Sequence, residues 1–354
     1  MQTEVQSSKT LPRKIRILIV DDSPTLRAVI AAVLRKAGDF EIVGEAADPI
    51  EAREAIKALK PDAITLDLEM PRMSGLDFLE RLMRLRPMPV VVISSWTQAS
   101  ADLTVEALAA GAFDCIAKPQ SGNVLAELAR LPEVMRAAVK SSQPAHLMAT
   151  RSGSVQGQFQ PSDRFVVMGA STGGVESLIS IISRMPGNCP PILITQHIPG
   201  TFSTSFAKRL NQNSQATVEE AFDGAPIVSG RVYLAPASVD KHLGLEGGTS
   251  LKCKLLDGPA VSGHRPSVDV MFKSACAYGS RTVGVILTGM GKDGAEGLLN
   301  IRSAGGSTIG QDEASSIVYG MPKMAWQLGA VEKQLPLGSI AEEVLRLCSS
   351  RVGG

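Results

Sequence analysis

The feature that most constrains this chain is an alternation of short β-branched apolar runs with amphipathic stretches, which occurs twice with one interruption. In the first half the runs lie at residues 15–20, 40–46, 63–67, 89–93 and 114–117, with helically spaced stretches such as 25–37, 49–59 and 76–85 between them. Strands that alternate with helices pair in parallel through crossovers, so the pattern predicts a doubly wound parallel sheet. Residues 141–161 break it: they are rich in Ser, Gln, Gly, Pro and Ala, and Arg151 is their one Lys, Arg, Asp or Glu. Such a segment reads as a flexible linker. Beyond it the alternation resumes, with runs at 165–168, 192–195, 231–234, 282–287 and 307–309. The expected fold class is α/β, with two doubly wound parallel-sheet domains at 14–140 and 163–354 joined by a linker at 141–162.

Composition removes several function classes. With 354 residues, 44% hydrophobic and a formal net charge of +1, the chain has material for two packed cores and no global field toward nucleic acid or anionic lipid. Aromatic residues are only 4%, too few for a base-stacking surface. No apolar run approaches the roughly 18 residues needed to span a bilayer. The first 13 residues are polar and lack the apolar centre of a secretory signal, so a cytoplasmic location without membrane insertion is expected. The five cysteines are widely spaced and contain no CxxC pair, which predicts buried free thiols rather than disulfides or structural zinc.

In an open parallel sheet, ligands bind beyond the carboxyl ends of the strands. In the first domain those ends carry Asp21-Asp22, Asp67, Ser94 and Lys118-Pro119. Any one of the aspartates could merely cap a helix, and Ser23-Pro24 does look like a cap and first helical position. Together, three converging carboxylates call for a hard divalent cation, and Mg²⁺ suits that role. A hydroxyl and a lysine beside them can neutralise phosphoryl oxygens.

These residues carry a resemblance. The run Ile19-Val20-Asp21-Asp22-Ser23, the segment Asp67-Leu68-Glu69-Met70-Pro71 with Gly75, and Lys118-Pro119 resemble a response-regulator receiver domain over about the first 125 residues. The resemblance implies a flavodoxin-like fold in which Asp67 accepts a phosphoryl group from a sensor histidine kinase. By position, Asp21, Asp22 and Asp67 hold Mg²⁺, Ser94 is the switch hydroxyl and Lys118 binds the phosphoryl group. The Glu69 side chain need not be a ligand.

In the second domain the first strand runs into Gly169-Ala170-Ser171-Thr172-Gly173-Gly174 and then a helix. A glycine-rich turn of this kind serves either phosphate binding at a helix N-terminus or a nucleophile on a sharp turn. The spacing is not G-x-G-x-x-G, no Walker lysine follows, and the next strand ends in Gln196-His197 where a dinucleotide fold places an acid. These features favour Ser171 as nucleophile. A serine needs a base, and there are four histidines. His146 lies in the linker, His242 sits among charged surface-type residues, and His264 is a second choice. His197 ends the strand that should lie beside the Ser171 strand. Asp293, after a third strand, is the candidate for the orienting acid, though a turn aspartate is its bland alternative.

A second resemblance follows from four segments. Gly169 to Gly174, Gln196-His197-Ile198-Pro199, Gly263-His264-Arg265-Pro266-Ser267-Val268-Asp269 and Leu287 to Gly294 are similar to the catalytic domain of chemotaxis protein-glutamate methylesterases, as are Gln311 to Ser315 and Gly320-Met321-Pro322. The resemblance implies a Rossmann-like serine hydrolase domain with a triad of Ser171, His197 and Asp293. Met290 and Thr172 support the oxyanion, and the esterase reaction uses no cofactor. It further implies methyl-accepting chemoreceptors as substrates, glutamine deamidation by the same attack, and inhibition by an unphosphorylated receiver that covers the cleft. Rival readings are a receiver-controlled transcription or interaction regulator and a nicotinamide-dependent oxidoreductase. The first predicts a basic recognition helix, the second an acid in place of His197.

Overall fold

The structure, a computed structural model, describes residues 13–70, 73–119, 124–141, 159–200, 202–237 and 240–350. Arg351 to Gly354 and most of the linker, with His146, lie outside the described residues.

The first domain is a five-stranded sheet of β1 (Ile15–Val20), β2 (Phe40–Ala46), β3 (Ala63–Asp67), β4 (Val90–Ser94) and β5 (Asp114–Ala117), in the order β2-β1-β3-β4-β5. Every pairing is parallel. All five residues of β3 and of β4 are buried, as expected of strands covered on both faces. The covering helices are α1 (Pro24–Lys36), α2 (Pro49–Leu59), α3 (Gly75–Leu85), α4 (Gln98–Ala109), α5 (Val124–Glu127) and α6 (Leu131–Lys140). Ser23 caps α1 through its side chain, with Pro24 opening the helix.

The second domain is built on seven parallel strands in the order β14-β13-β12-β6-β7-β9-β8. In chain order they are β6 (Phe165–Ala170), β7 (Ile192–Gln196), β8 (Thr217–Glu220), β9 (Arg231–Leu234), β12 (Thr282–Ile286), β13 (Ser307–Gln311) and β14 (Lys333–Leu335). The helices are α7 (Gly174–Ile182), α8 (Phe202–Gln212), α9 (Val268–Ala275), α10 (Ala295–Ser303), α11 (Met321–Gln327) and α12 (Leu337–Cys348). Strand order reverses at β6, which has β7 on one side and β12 on the other, so three strand ends surround one switch point.

Three features depart from the sequence reading. The short edge strands β8 and β14 carry too few apolar residues to stand out, and β10 (His242–Glu246) with β11 (Lys252–Leu256) forms an antiparallel hairpin apart from the main sheet. The last residues of the stretch read as linker are docked on the second domain: the Ser162 amide donates to the Cys348 carbonyl at 2.8 Å, and the Ser350 amide to that of Gln160 at 2.9 Å.

The two domains pack together. Helix α4 lies against α7 and α8, with Ala101, Val105 and Leu108 in the same apolar cluster as Phe202 and Phe206. Gln98 Nε2 donates to Ser205 Oγ at 2.6 Å across this contact. No helix among the described residues is long and apolar enough to cross a membrane. All five cysteines are free, four of them buried.

Candidate functional site

At the carboxyl edge of the first sheet, Asp21, Asp22 and Asp67 each offer a carboxylate oxygen within 4.8 Å of the others. Asp21 and Asp67 are buried, and Asp21 Oδ2 has no hydrogen-bond partner among the described residues. Burial, then the neighbouring Asp67 charge, pushes the Asp21 carboxyl up to about 6; burial also raises Asp67. An all-oxygen set with an orphaned acceptor fits a hard divalent cation. Lys118 Nζ donates to Asp67 Oδ2 at 2.6 Å and lies 3.8 Å from Asp21 Oδ2. Burial alone would lower this lysine, but the carboxylates outweigh it and its pKa rises.

Ser94 points to partners the sequence reading did not contain. Thr104 Oγ1 donates to Ser94 Oγ at 2.6 Å, and Ser94 Oγ reaches the Ser100 carbonyl at 3.5 Å, so the hydroxyl is tied to α4. Glu69 turns away from the acid cluster, its Oε1 accepting from Ser100 Oγ at 2.7 Å.

In the second domain, the parallel pairing of β6 and β7 sets Ala170 opposite Gln196 and brings the Ser171 turn beside His197. Gln196 reinforces this: its Nε2 donates to the carbonyls of Ser171 (2.8 Å) and His197 (2.9 Å). From the loop that follows the other neighbouring strand, β12, the Thr288 carbonyl accepts the Ser171 amide at 3.0 Å, and Thr288 Oγ1 donates to the Thr172 carbonyl at 3.0 Å. Gly289 has a steric reason: a Cβ there would lie 2.7 Å from Ser171 Cβ and 2.4 Å from Met321 Sδ.

His197 Nε2 meets Asp293 Oδ2 at 2.9 Å, and both side chains are almost wholly buried. Asp293 is saturated with donors. Val268 N (2.8 Å) adds to Oδ2, while Ser267 Oγ (2.8 Å) and Asp269 N (3.1 Å) bind Oδ1. Burial would raise this carboxyl, but the His197 contact, the Val268 amide and the Ser267 hydroxyl together hold it below the ordinary carboxylate range. An ionised carboxylate only accepts, so Nε2 carries the imidazole proton and Nδ1 keeps its lone pair. That Nδ1 is buried without a partner among the described residues. No hydrogen bond joins it to Ser171 Oγ among the described residues, although both residues line the same cavities.

The larger cavity, about 340 Å³, lies between the domains, with Trp96, Asp114 and Arg130 on one wall and Ser171, His197 and His264 on the other. Thr172 Oγ1 donates from the second domain to Asp114 Oδ2 in the first at 2.6 Å. Among the described residues, the backbone amides of Thr172 and Met290 donate to no backbone carbonyl.

His264 makes no hydrogen bond to Asp293 among the described residues; its ring stacks on that of His197 with centroids 3.6 Å apart and 6° between planes. The surface reading of His242 is corrected. The side chain is 2% exposed, with Nδ1 accepting from Ser267 N at 3.1 Å and Nε2 bonded to the Pro259 carbonyl at 3.0 Å. The neighbouring Lys241 and Asp240 suggest solvent, but the strand that His242 opens is buried through its first four residues, and the ring is held between Ser267 N and the Pro259 carbonyl. The motif that contains Ser267 gives it no role of its own, and its place just before a helix is the available sequence signal. It caps α9 as well as binding Asp293. Ser267→Ala is expected to cost about 2 kcal/mol, read from the second domain's transition in denaturant unfolding.

The comparisons agree in both halves. The CheB methylesterase family model matches residues 166–344, and the response regulator receiver domain model matches residues 17–130. A protein-glutamate methylesterase/protein-glutamine glutaminase 1 of Caulobacter vibrioides is 52% identical over 344 residues, covering 96% of this chain and 99% of that protein. An Agrobacterium fabrum protein-glutamate methylesterase/protein-glutamine glutaminase is 50% identical over 347 residues, covering 96% and 98%. Among solved structures, the catalytic domain of the Thermotoga maritima CheB methylesterase is 40% identical, with a TM-score of 0.51 over 52% of this chain and 99% of that one. With a receiver sheet carrying an acid cluster and a second sheet carrying a serine turn and a histidine–aspartate pair, the chain belongs to the CheB methylesterase family of receiver-bearing protein-glutamate methylesterase/protein-glutamine glutaminases.

Proposed function

We propose that the protein hydrolyses glutamate γ-methyl esters of chemoreceptors, deamidates receptor glutamines, and is switched on by phosphorylation of its receiver. The observation that carries the hydrolase reading is the 2.9 Å contact between His197 Nε2 and Asp293 Oδ2, which leaves Nδ1 as the only ring nitrogen free to act as base beside the Ser171 turn. Ser171 Oγ attacks the ester carbonyl carbon and His197 Nδ1 takes its proton, while Asp293 stabilises the imidazolium. The proton passes to the leaving methoxide, methanol departs and a glutamyl ester remains on Ser171. Water, deprotonated by the same nitrogen, cleaves that ester and restores the serine. With a glutamine substrate the leaving group is ammonia. The amides of Thr172 and Met290 are suited to receive the oxyanion, a contribution of about 10²–10³ in rate per donor.

In the receiver, Asp21, Asp22 and Asp67 would hold Mg²⁺, which when bound supplies the positive charge that draws a phosphodonor to Asp67. Lys118 neutralises the phosphoryl oxygens, and Ser94 leaves Thr104 and Ser100 to bind them. Both of those partners sit on α4, the helix that packs on α7 and α8, so the switch hydroxyl is joined to the domain contact by a short chain of neighbours. We place the receiver at 14–140, the linker at 141–162 and the catalytic domain at 163–354. A histidine kinase is the phosphodonor and the receptor glutamates are the substrate. The five free thiols suit a reducing, cytoplasmic setting.

Methanol release from methylated receptor membranes, with and without a small-molecule phosphodonor, tests this reading; no release under either condition would sink it. Asp67→Asn is expected to keep the basal rate, to take up no acid-labile phosphate and to lose stimulation by the phosphodonor.

A further inference from the structure

One short arm, residues 258–269, grips the His197–Asp293 pair from two directions. Its far end supplies Ser267 Oγ and the amides of Val268 and Asp269 to the carboxylate. Its near end forms a tight two-residue hairpin in which Val261 and His264 exchange backbone hydrogen bonds of 3.0 and 2.9 Å. Both central residues lie at positive φ, Ser262 at 52° and Gly263 at 82°, as a type I′ turn requires. A serine in that region is uncommon, and residues held there cluster at functional sites.

The arm is anchored at both ends. His242 bridges it by accepting from Ser267 N and donating to the Pro259 carbonyl. Arg265 binds the Gly258 carbonyl at 3.0 Å and Asp240 at 2.8 Å. The result of this anchoring is a ring laid flat on the imidazole of His197 at 3.6 Å and 6°.

We propose that His264 is a positioning residue: its ring is a fixed plate that sets the plane of the His197 imidazole, so that Nε2 meets Asp293 while Nδ1 stays turned to the Ser171 side. This rests on the hydrolase reading given above. The terminal torsion of a histidine is soft and nearly two-fold, so one hydrogen bond at one edge does not hold the ring plane. A parallel ring at van der Waals distance permits sliding but blocks rotation. The plate also has to stay uncharged while His197 takes the serine proton, because two stacked imidazolium rings would repel. Burial first, then the nearby His197 and Arg130, pushes the His264 pKa down to about 3, so it is neutral throughout the working range.

The test compares the full-length protein with His264→Ala and His264→Phe, measuring methanol release from methylated receptor membranes. Phenylalanine keeps a flat ring and loses both nitrogens; alanine loses the plate. His264→Ala is expected to lower kcat about tenfold or more, since a misplacement near 1 Å can cost about 10²-fold, and His264→Phe to recover most of that loss. Alanine turning over as fast as wild type, or phenylalanine as slow as alanine, overturns the proposal. A wild-type protein that releases no methanol removes the hydrolase reading instead. In that event ¹⁵N NMR of the His197 ring decides the matter. One Nε2–H tautomer in wild type and His264→Phe that is lost in His264→Ala supports the plate, and an identical signature in all three overturns it.

Discussion

Ser171→Ala is expected to reduce ester hydrolysis by about 10⁶-fold, to the level left by binding and oxyanion contacts alone. The size follows from the roles assigned to the triad. Without the hydroxyl there is no acyl-enzyme, and His197 would have to activate a water that nothing positions. Methyl groups and glutamine amides are attacked by the same oxygen, so methanol and ammonia release must fall together. The folded state should be little changed, because the turn is held by backbone contacts rather than by Oγ. The Ser171 amide binds the Thr288 carbonyl, and the Ser171 carbonyl accepts from Gln196. A folded Ser171→Ala protein that still releases methanol at the wild-type rate would show that the glycine-rich turn does something else, phosphate binding being the rival such turns offer.

The second large effect concerns the receiver. Removing residues 1–150 is expected to raise the basal rate of the unphosphorylated protein at least about tenfold, and Asp114→Ala in the full chain by about tenfold. Asp114 is the receiver's direct hold on the residue next to Ser171, through the 2.6 Å bond from Thr172 Oγ1. Hydrogen bonds to a charged acceptor are worth roughly 1.5–3 kcal/mol, and 1.4 kcal/mol is a factor of ten in an open–closed equilibrium. Burial raises the Asp114 carboxyl against the opposing pull of Thr172, so this contact is made at a desolvation cost and should be easy to tip. Gln98 and the apolar face of α4 remain in the Asp114→Ala protein, which is why truncation should do at least as much. Both rates are read as methanol release without phosphodonor. A truncated protein no faster than the intact chain would mean that the receiver does not restrain the cleft.

Part of this was legible in the amino-acid order. Apart from the edge strands β8 and β14, the strands of both sheets announce themselves by apolar runs of the right length. In a parallel sheet such runs end at one edge, so Asp21, Asp67, Lys118, Ser171 and His197 could be placed at strand ends without coordinates. Adjacency of consecutive strands then sufficed to set His197 beside Ser171, and β6 and β7 do pair. Edge strands such as β14, only three residues long, leave too weak a period to detect. The charged neighbours of His242 suggest a surface position, whereas the strand it opens is buried from His242 to Leu245 because the 258–269 segment covers it, a contact that no local pattern announces.

What the chain order determined by itself was therefore the alternating architecture and which side chains stand at the strand ends, because periodicity and strand ends are local properties. Only the tertiary structure decided which nitrogen of His197 meets Asp293, 96 positions away, what saturates that carboxylate, and which ring lies on the imidazole. It alone placed Asp114, 58 positions before Thr172, on the neighbour of Ser171. Those contacts join loops without a repeat or a period, and their geometry is set by how two sheets and one anchored arm pack, which no spacing along the chain encodes.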